Sequence, residues 1–183
     1  SIRFYLEAKT EMEKTNDYQL GYLIMSGLSN IYLYRDFTTY ALEACAQAYD
    51  YAVKDSNKRY QMSSLLFFAR CYCLLDKLDI AEQKYKQCSA IALELGKKNF
   101  YDIAMQDLAA LYKNSHRYTE SLLILKSLPF NPQVSLLFGQ NYLLLNQLDS
   151  ANYYLKKSLY TDNIYTTLNP QLHSRSATYI KRN

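Results

Sequence analysis

The sequence predicts an all-α protein, built as helical hairpins stacked side by side. Three observations predict it. Six positions recur four times in register along the chain. Apolar residues return at helical spacing between them. Chain-breaking residues are scarce, with 4 Gly and 3 Pro among 183 residues, which argues against a turn-rich β-sandwich and against collagen-like or Pro-rich disordered chains.

The recurrence is anchored on Tyr32, Tyr72, Tyr112 and Tyr142, spaced by 40, 40 and 30 residues. Four before each tyrosine stands a large apolar residue: Leu28, Phe68, Leu108 and Phe138. Three before stands a small one: Ser29, Ala69, Ala109 and Gly139. After the tyrosine, Ala41, Ala81, Ser121 and Ala151 come at nine, Cys45, Tyr85, Leu125 and Leu155 at thirteen, and Ala48, Cys88, Leu128 and Ser158 at sixteen. Four after each tyrosine comes Asp36, Asp76, His116 or Asn146, residue types that tolerate a left-handed backbone, so a short turn is expected there.

Ten helices are read from this frame. The first, 1–14, carries Ser1, Tyr5 and Ala8 at the places of Ala41, Cys45 and Ala48, one 40-residue step earlier. The next two, 17–35 and 38–54, hold Tyr32 and then Ala41, Cys45 and Ala48. The pair 58–75 and 79–96 follows, with Phe68, Ala69 and Tyr72 in one and Ala81, Tyr85 and Cys88 in the other. Thr39, Asp79, Thr119 and Asp149 are expected as N-caps, Asp79 with Glu82 as a capping box, and Gly96 as a helix C-cap. Helix 98–114 bears Leu108, Ala109 and Tyr112, and helix 119–128 ends early at Pro129. Helix 132–145 opens with Asn131 as N-cap and Pro132 in the first turn, and helix 149–160 holds Ala151, Leu155 and Ser158. The triplet Asn169-Pro170-Gln171 repeats Asn131-Pro132-Gln133 and starts a last helix at 170–182, where Ser176, Ala177 and Ile180 take the recurring places. One array is expected over 1–183, with a half unit at 1–14, units at about 17–55, 58–96, 98–128 and 132–160, and a half unit at 170–183, cut from a longer protein.

This pattern resembles the tetratricopeptide repeat (TPR). Phe68, Ala69, Tyr72, Ala81, Tyr85 and Cys88 make the best-matching unit, and the likeness covers nearly the whole chain. Its 40-residue units resemble the long-helix repeats of bacterial regulators and sensors. The resemblance implies a right-handed α–α superhelix whose helices share a continuous core.

Composition excludes several functions. The net charge of +4 comes from scattered Lys and Arg, and the basic pairs Lys97-Lys98, Lys156-Lys157 and Lys181-Arg182 are short, so no nucleic-acid contact is expected. The most apolar stretch, 20–34, carries Gly21, Ser26, Gly27, Ser29 and Asn30 and does not read as a membrane span. Cys71 and Cys73 point about 200° apart on a helix and cannot share one metal ion; with Cys45 and Cys88 they read as buried structural thiols. His116 fills a turn position and His173 has no partner in sequence, so no catalytic set is announced and neither enzyme activity nor a cofactor is expected.

What remains is a binding surface. The resemblance implies a concave groove lined by the first helix of each unit, at six before, two before and one after the tyrosine. Those positions are Ser26, Asn30 and Leu33; Leu66, Arg70 and Cys73; Gln106, Ala110 and Lys113; Leu136, Gln140 and Leu143. The candidate binding set is Ser26, Asn30, Tyr34, Leu66, Arg70, Gln106, Lys113 and Gln140. Asn30, Gln106 and Gln140 can pair with a peptide amide, and Arg70 and Lys113 with a carboxylate, unless Asp107 neutralises Arg70 internally. TPRs that grip chaperone tails need basic residues where this chain has Ser26, Ile103 and Asp107, so such tails are disfavoured. The function expected is a non-catalytic protein- or peptide-binding scaffold, with homo-oligomers possible. The alternative is the ligand-sensing part of a larger bacterial signalling protein or transcriptional regulator. A cytoplasmic location is expected, or a periplasmic one if a leader precedes Ser1.

Overall fold

A computed structural model describes the backbone of residues 2–168, and the side chains of that span apart from Ile2, Glu11, Glu13 and 160–168. Among these residues nine helices follow one another and no strand occurs. They are α1 (Ile2–Thr15), α2 (Tyr18–Tyr34), α3 (Thr38–Lys54), α4 (Lys58–Leu74), α5 (Leu78–Glu94), α6 (Lys98–Asn114), α7 (Tyr118–Ser127), α8 (Pro132–Leu144) and α9 (Leu148–Leu168). Helices α2 to α6 are each 17 residues long, with three residues between neighbours.

A recurring turn sets this rhythm. Left-handed residues stand at Asn16 (φ 53°), Asp36 (61°), Ser56 (53°), Asp76 (56°), Gly96 (63°), His116 (60°) and Asn146 (57°). The first six lie 20 residues apart. The next residue's N–H then reaches back five positions to a helix carbonyl: Phe37 to Tyr32 at 2.9 Å, Asn57 to Ala52 at 2.9 Å, Lys77 to Tyr72 at 2.9 Å, Lys97 to Ala92 at 2.7 Å, Arg117 to Tyr112 at 2.8 Å and Gln147 to Tyr142 at 2.8 Å. This is the Schellman arrangement, which satisfies carbonyls that a helix end would otherwise leave open. The recurring tyrosines therefore mark the place where each first helix is closed.

The turns are tighter than the sequence suggested, and the expected N-caps are corrected. Phe37, Lys77 and Arg117 occupy the N-cap positions of α3, α5 and α7, and none caps with its side chain. Thr39, Asp79, Thr119 and Asp149 fall inside the first turns of their helices. Asp79 lies inside α5, whose N-cap is Lys77, so it does not open a capping box with Glu82, and the Glu82 carboxylate accepts from Lys86 Nζ at 2.6 Å. Side-chain caps occur before first helices: Asp17 accepts from the Leu20 N–H at 2.9 Å, Asn57 from Tyr60 at 3.2 Å and Asn131 from Val134 at 2.9 Å. Helix α9 continues to Leu168 rather than ending at 160. No Gly or Pro interrupts it before Pro170, whose predecessor is disfavoured in helix. The helix expected at 170–182 lies outside the described residues.

The chain forms two compact units, Ser1–Leu111 and Tyr112–Asn183. In the first, α2 packs on α1, α3 and α4, and α4 on α3 and α5. Met12, Tyr22, Ile24, Met25 and Leu28 bury against Ala44, Ala48 and Ala52. Each large side chain so buried contributes roughly 1.5–3 kcal/mol before entropy is counted. The rings of Tyr22 and Tyr60 stack at 3.9 Å. Small residues let the helices approach: Ala41, Ala69 and Ala81 are 0% exposed, and Ser29 Oγ donates to the Ala41 carbonyl at 3.0 Å.

In the second unit Leu125, Val134, Leu137, Phe138 and Ala151 are buried. A Cβ on Gly139 would come within 2.6 Å of Leu155, so only glycine fits this small position. Polar side chains enter this core too: Ser121, Ser135 and Asn141 are all 0% exposed. Asn141 is the largest of them. Its Nδ2 donates to Ser121 Oγ at 3.0 Å and to the Leu137 carbonyl at 2.8 Å, while its Oδ1 has no hydrogen-bond partner.

Candidate functional site

The 40-residue rhythm places residues 23, 63 and 103 in equivalent positions, and likewise 30, 70 and 110. Seven residues apart, the two sets lie on one face of α2, α4 and α6. On α2 this face carries Leu23, 51% exposed, and the exposed amide of Asn30. Ser26, half-buried between them, turns its hydroxyl inward to the Leu23 carbonyl at 3.1 Å. Tyr34 is the last residue of α2 and is 77% exposed beside the α2–α3 turn.

On α4 the same position is Arg70. Its Nε donates to Asp107 Oδ2 of α6 at 2.8 Å. The carboxylate that neutralises Arg70 therefore comes from the chain itself. Beneath the pair, Cys73 Sγ donates to Tyr85 Oη at 3.8 Å, and Tyr85 and Cys88 are 3% and 0% exposed. Burial raises the Asp107 pKa, and Arg70 pulls it back down. Burial, reinforced by the Asp107 charge, pushes the Tyr85 hydroxyl far up. It also raises Cys73 and takes Cys88 and Cys71 to about 11. Burial thus favours the protonated form of Tyr85 and these three thiols near neutral pH.

The remaining candidates divide. Leu66 is 6% exposed and belongs to the core, because α4 has neighbours on α2, α3 and α5. Gln106 is half-buried on α6. In the second unit, Lys113 Nζ donates to Gln140 Oε1 at 2.8 Å, and burial lowers the Lys113 pKa. Arg70 and Lys113 are thus both engaged within the protein. The sequence offered Asp107, one residue beyond the groove position Gln106, as an internal partner for Arg70 in place of a ligand carboxylate, and the structure forms that pair. It gave no sign of Leu23, whose exposure follows from the packing of α2.

His116 sits in its turn with Nδ1 2.7 Å from Tyr118 Oη. His173 lies outside the described residues. Among the described residues, no three His, Cys, Asp or Glu side chains come together to hold a metal ion, and no helix is long and apolar enough to cross a membrane.

No protein-family model matches the chain, and no curated protein matches it by sequence. Solved structures do match its fold. Aspartyl phosphate phosphatase F from Bacillus subtilis superposes with a TM-score of 0.79 at 16% identity, over 93% of this chain and 46% of that one. The chain thus spans about half the length of that protein. Nearly identical TPR-like repeats of a Podosopora anserina kinesin-light-chain-type protein give 0.74 at 14% identity, over 91% and 87% of the two chains. MamA gives 0.65 at 16% identity, over 91% and 89%. The fold is of the tetratricopeptide-repeat type.

Proposed function

We propose that this protein is a non-catalytic interaction module that holds a peptide or a partner's helix along the face of α2, α4 and α6. The carrying observation is the pairing of Arg70 with Asp107, which leaves that face uncharged between Leu23, Asn30 and Ile103. Leu23 and Ile103, 51% and 41% exposed, offer apolar contact. Asn30 and Gln106 offer a donor and an acceptor each to a peptide backbone. The ligand suited to this face is neutral along the contact, with apolar side chains alternating with free amide groups.

A photo-crosslinking residue at Asn30 tests the reading against the same residue at Gln83, which is exposed on α5. Capture at Asn30 alone, lost in a Leu23→Glu variant of unchanged melting temperature, supports the face. Equal capture at both positions, or none at either, defeats it.

A second reading draws on the phosphatase superposition, which uses 46% of the larger chain. In it the repeats are the sensing part of a longer regulatory protein. Ligand-dependent change in the radius of gyration, measured by small-angle scattering on the full gene product, separates this reading from a rigid scaffold.

A further inference from the structure

Lys113, in the last turn of α6, is half-buried, and its ammonium donates to the Gln140 amide oxygen of α8 at 2.8 Å. That acceptor is neutral. Arg70 has a carboxylate at Asp107, whereas Lys113 forms no ion pair among the described residues. No Asp or Glu stands three or four residues from Lys113 on α6, or from Gln140 on α8, so neither helix supplies a counter-charge along its own face. The negative end of α6 favours a cation here, but the carbonyls beside it are taken by the turn. Tyr112 accepts from the Arg117 N–H at 2.8 Å, and Lys113 from the His116 N–H at 3.1 Å. Lys113 is thus a partly desolvated charge without a counter-ion, which is costly to keep. Burial accordingly lowers its pKa.

The pair offers donors only. An ammonium has three N–H bonds, and one is used on Gln140. Because Gln140 Oε1 faces Lys113, the NH2 end of the same amide is left as a second donor. Two donors, one of them charged, suit a group that only accepts and carries one negative charge, which is a carboxylate. The surroundings are aliphatic. One turn beyond Gln140 lie Leu143 and Leu144, 52% and 53% exposed, and one turn before it lies half-buried Leu136. A single lysine among leucines does not match nucleic-acid phosphates, which draw clustered Lys and Arg. A carboxylate joined to an aliphatic chain finds a partner for each half. We infer that Lys113 and Gln140 form a carboxylate subsite on the second unit, which takes the C-terminal carboxylate of a peptide ending in an aliphatic residue. The subsite needs nothing from Leu23, Asn30 or Ile103.

N-acetyl-leucine, a free carboxylate beside an aliphatic chain, is the probe. It is titrated into the whole chain and followed by NMR at the Lys113 ammonium and its neighbouring methylene, a signal identified by its loss in Lys113→Arg. Half-saturation is expected at about 1–10 mM. The pH midpoint of Lys113 is expected to rise by about one pH unit, because a bound carboxylate favours the ammonium. Gln140→Leu is expected to weaken binding severalfold, and unchanged binding would overturn the part given to the amide. N-acetyl-leucinamide, which lacks the charge, and acetate, which lacks the chain, are expected to bind about tenfold more weakly. An equal response to the amide would overturn the carboxylate subsite, and an equal response to acetate would overturn the peptide end as its occupant. A response shared by the exposed Lys126, or none at Lys113 up to about 50 mM, would overturn the inference as a whole.

Discussion

The guanidinium of Arg70 and the carboxylate of Asp107 join successive first helices, α4 and α6, through a bond of 2.8 Å from Nε to Oδ2. Their side chains are 40% and 25% exposed, so the acid is the more deeply set partner. Removing one member should therefore be asymmetric. Arg70→Ala leaves a carboxylate with no counter-charge in a poorly solvated place, whereas Asp107→Asn leaves an arginine with better access to water. The expected cost of Arg70→Ala is about 1–3 kcal/mol, between exposed and buried ion pairs, and that of Asp107→Asn is smaller.

The pH dependence of the same pair has a defined sign. Burial raises the Asp107 pKa above its unfolded value, so the folded state takes up this proton first as pH falls. The group's contribution to stability then grows on acidification through its folded pKa. Arg70 is the influence that lowers that pKa, so Arg70→Ala raises it further. The deficit of the variant should be largest at pH 7 and shrink toward pH 5. Thermal melts of both proteins at the two pH values check this; a deficit that widens on acidification refutes it.

Asp76 holds φ at 56°, where a β-branched side chain is strained and glycine is at ease. Asp76→Val is expected to cost about 1–2 kcal/mol, and Asp76→Gly to be neutral or stabilising. Urea unfolding curves measure both. Equal destabilisation by the two would mean that the aspartate side chain, and not the turn geometry, matters there.

Ala69 and Ala81 are both 0% exposed at helix contacts. Leucine at either position should overpack the contact and cost about 1–3 kcal/mol. Unchanged melting temperatures for both variants would contradict the packing described.

Asn141 stands where the earlier units have Ile31, Cys71 and Leu111, and its partner Ser121 where they have Ala41 and Ala81. Its buried Oδ1 has no hydrogen-bond partner. Replacing both polar groups together, Asn141→Leu with Ser121→Ala, removes the unpartnered Oδ1 and the Asn141–Ser121 bond at once, and should stabilise the second unit by about 1 kcal/mol. Asn141→Leu alone should gain less. Chemical denaturation of the single and double variants decides.

Much of the fold was legible because its signal lies in residue types that the backbone itself demands. Asp36, Asp76, His116 and Asn146 were readable as turn residues, since few other side chains accept that geometry. Ser56 was not, because serine has no special liking for it, and without Ser56 the 20-residue half-period stayed hidden. The N-caps were displaced for a related reason. A three-residue connection makes one residue close the old helix and open the new one, so Phe37 or Lys77 can serve by main chain alone. At the site, spacing left Arg70 two partners, a ligand carboxylate or Asp107, and the structure shows Asp107. Solvent access was not readable from one helix: Leu66 is covered, and Leu23 and Tyr34 are left bare, by how α2 and α4 pack with the helices around them.

The left-handed residues at 16, 56 and 96 also decide how such a gene can change length. The repeats between residues 16 and 96 are entered and left through the same backbone corner, so these corners are matching seams. Excising 57–96 joins Ser56 to Lys97 with the chain leaving in its former direction, and a tandem copy of that block splices in just as smoothly. A single extra codon inside a helix instead swings every later side chain by about 100° around the axis, burying polar groups and exposing the apolar stripe. Variation in length between residues 17 and 96 should therefore come in whole steps of forty.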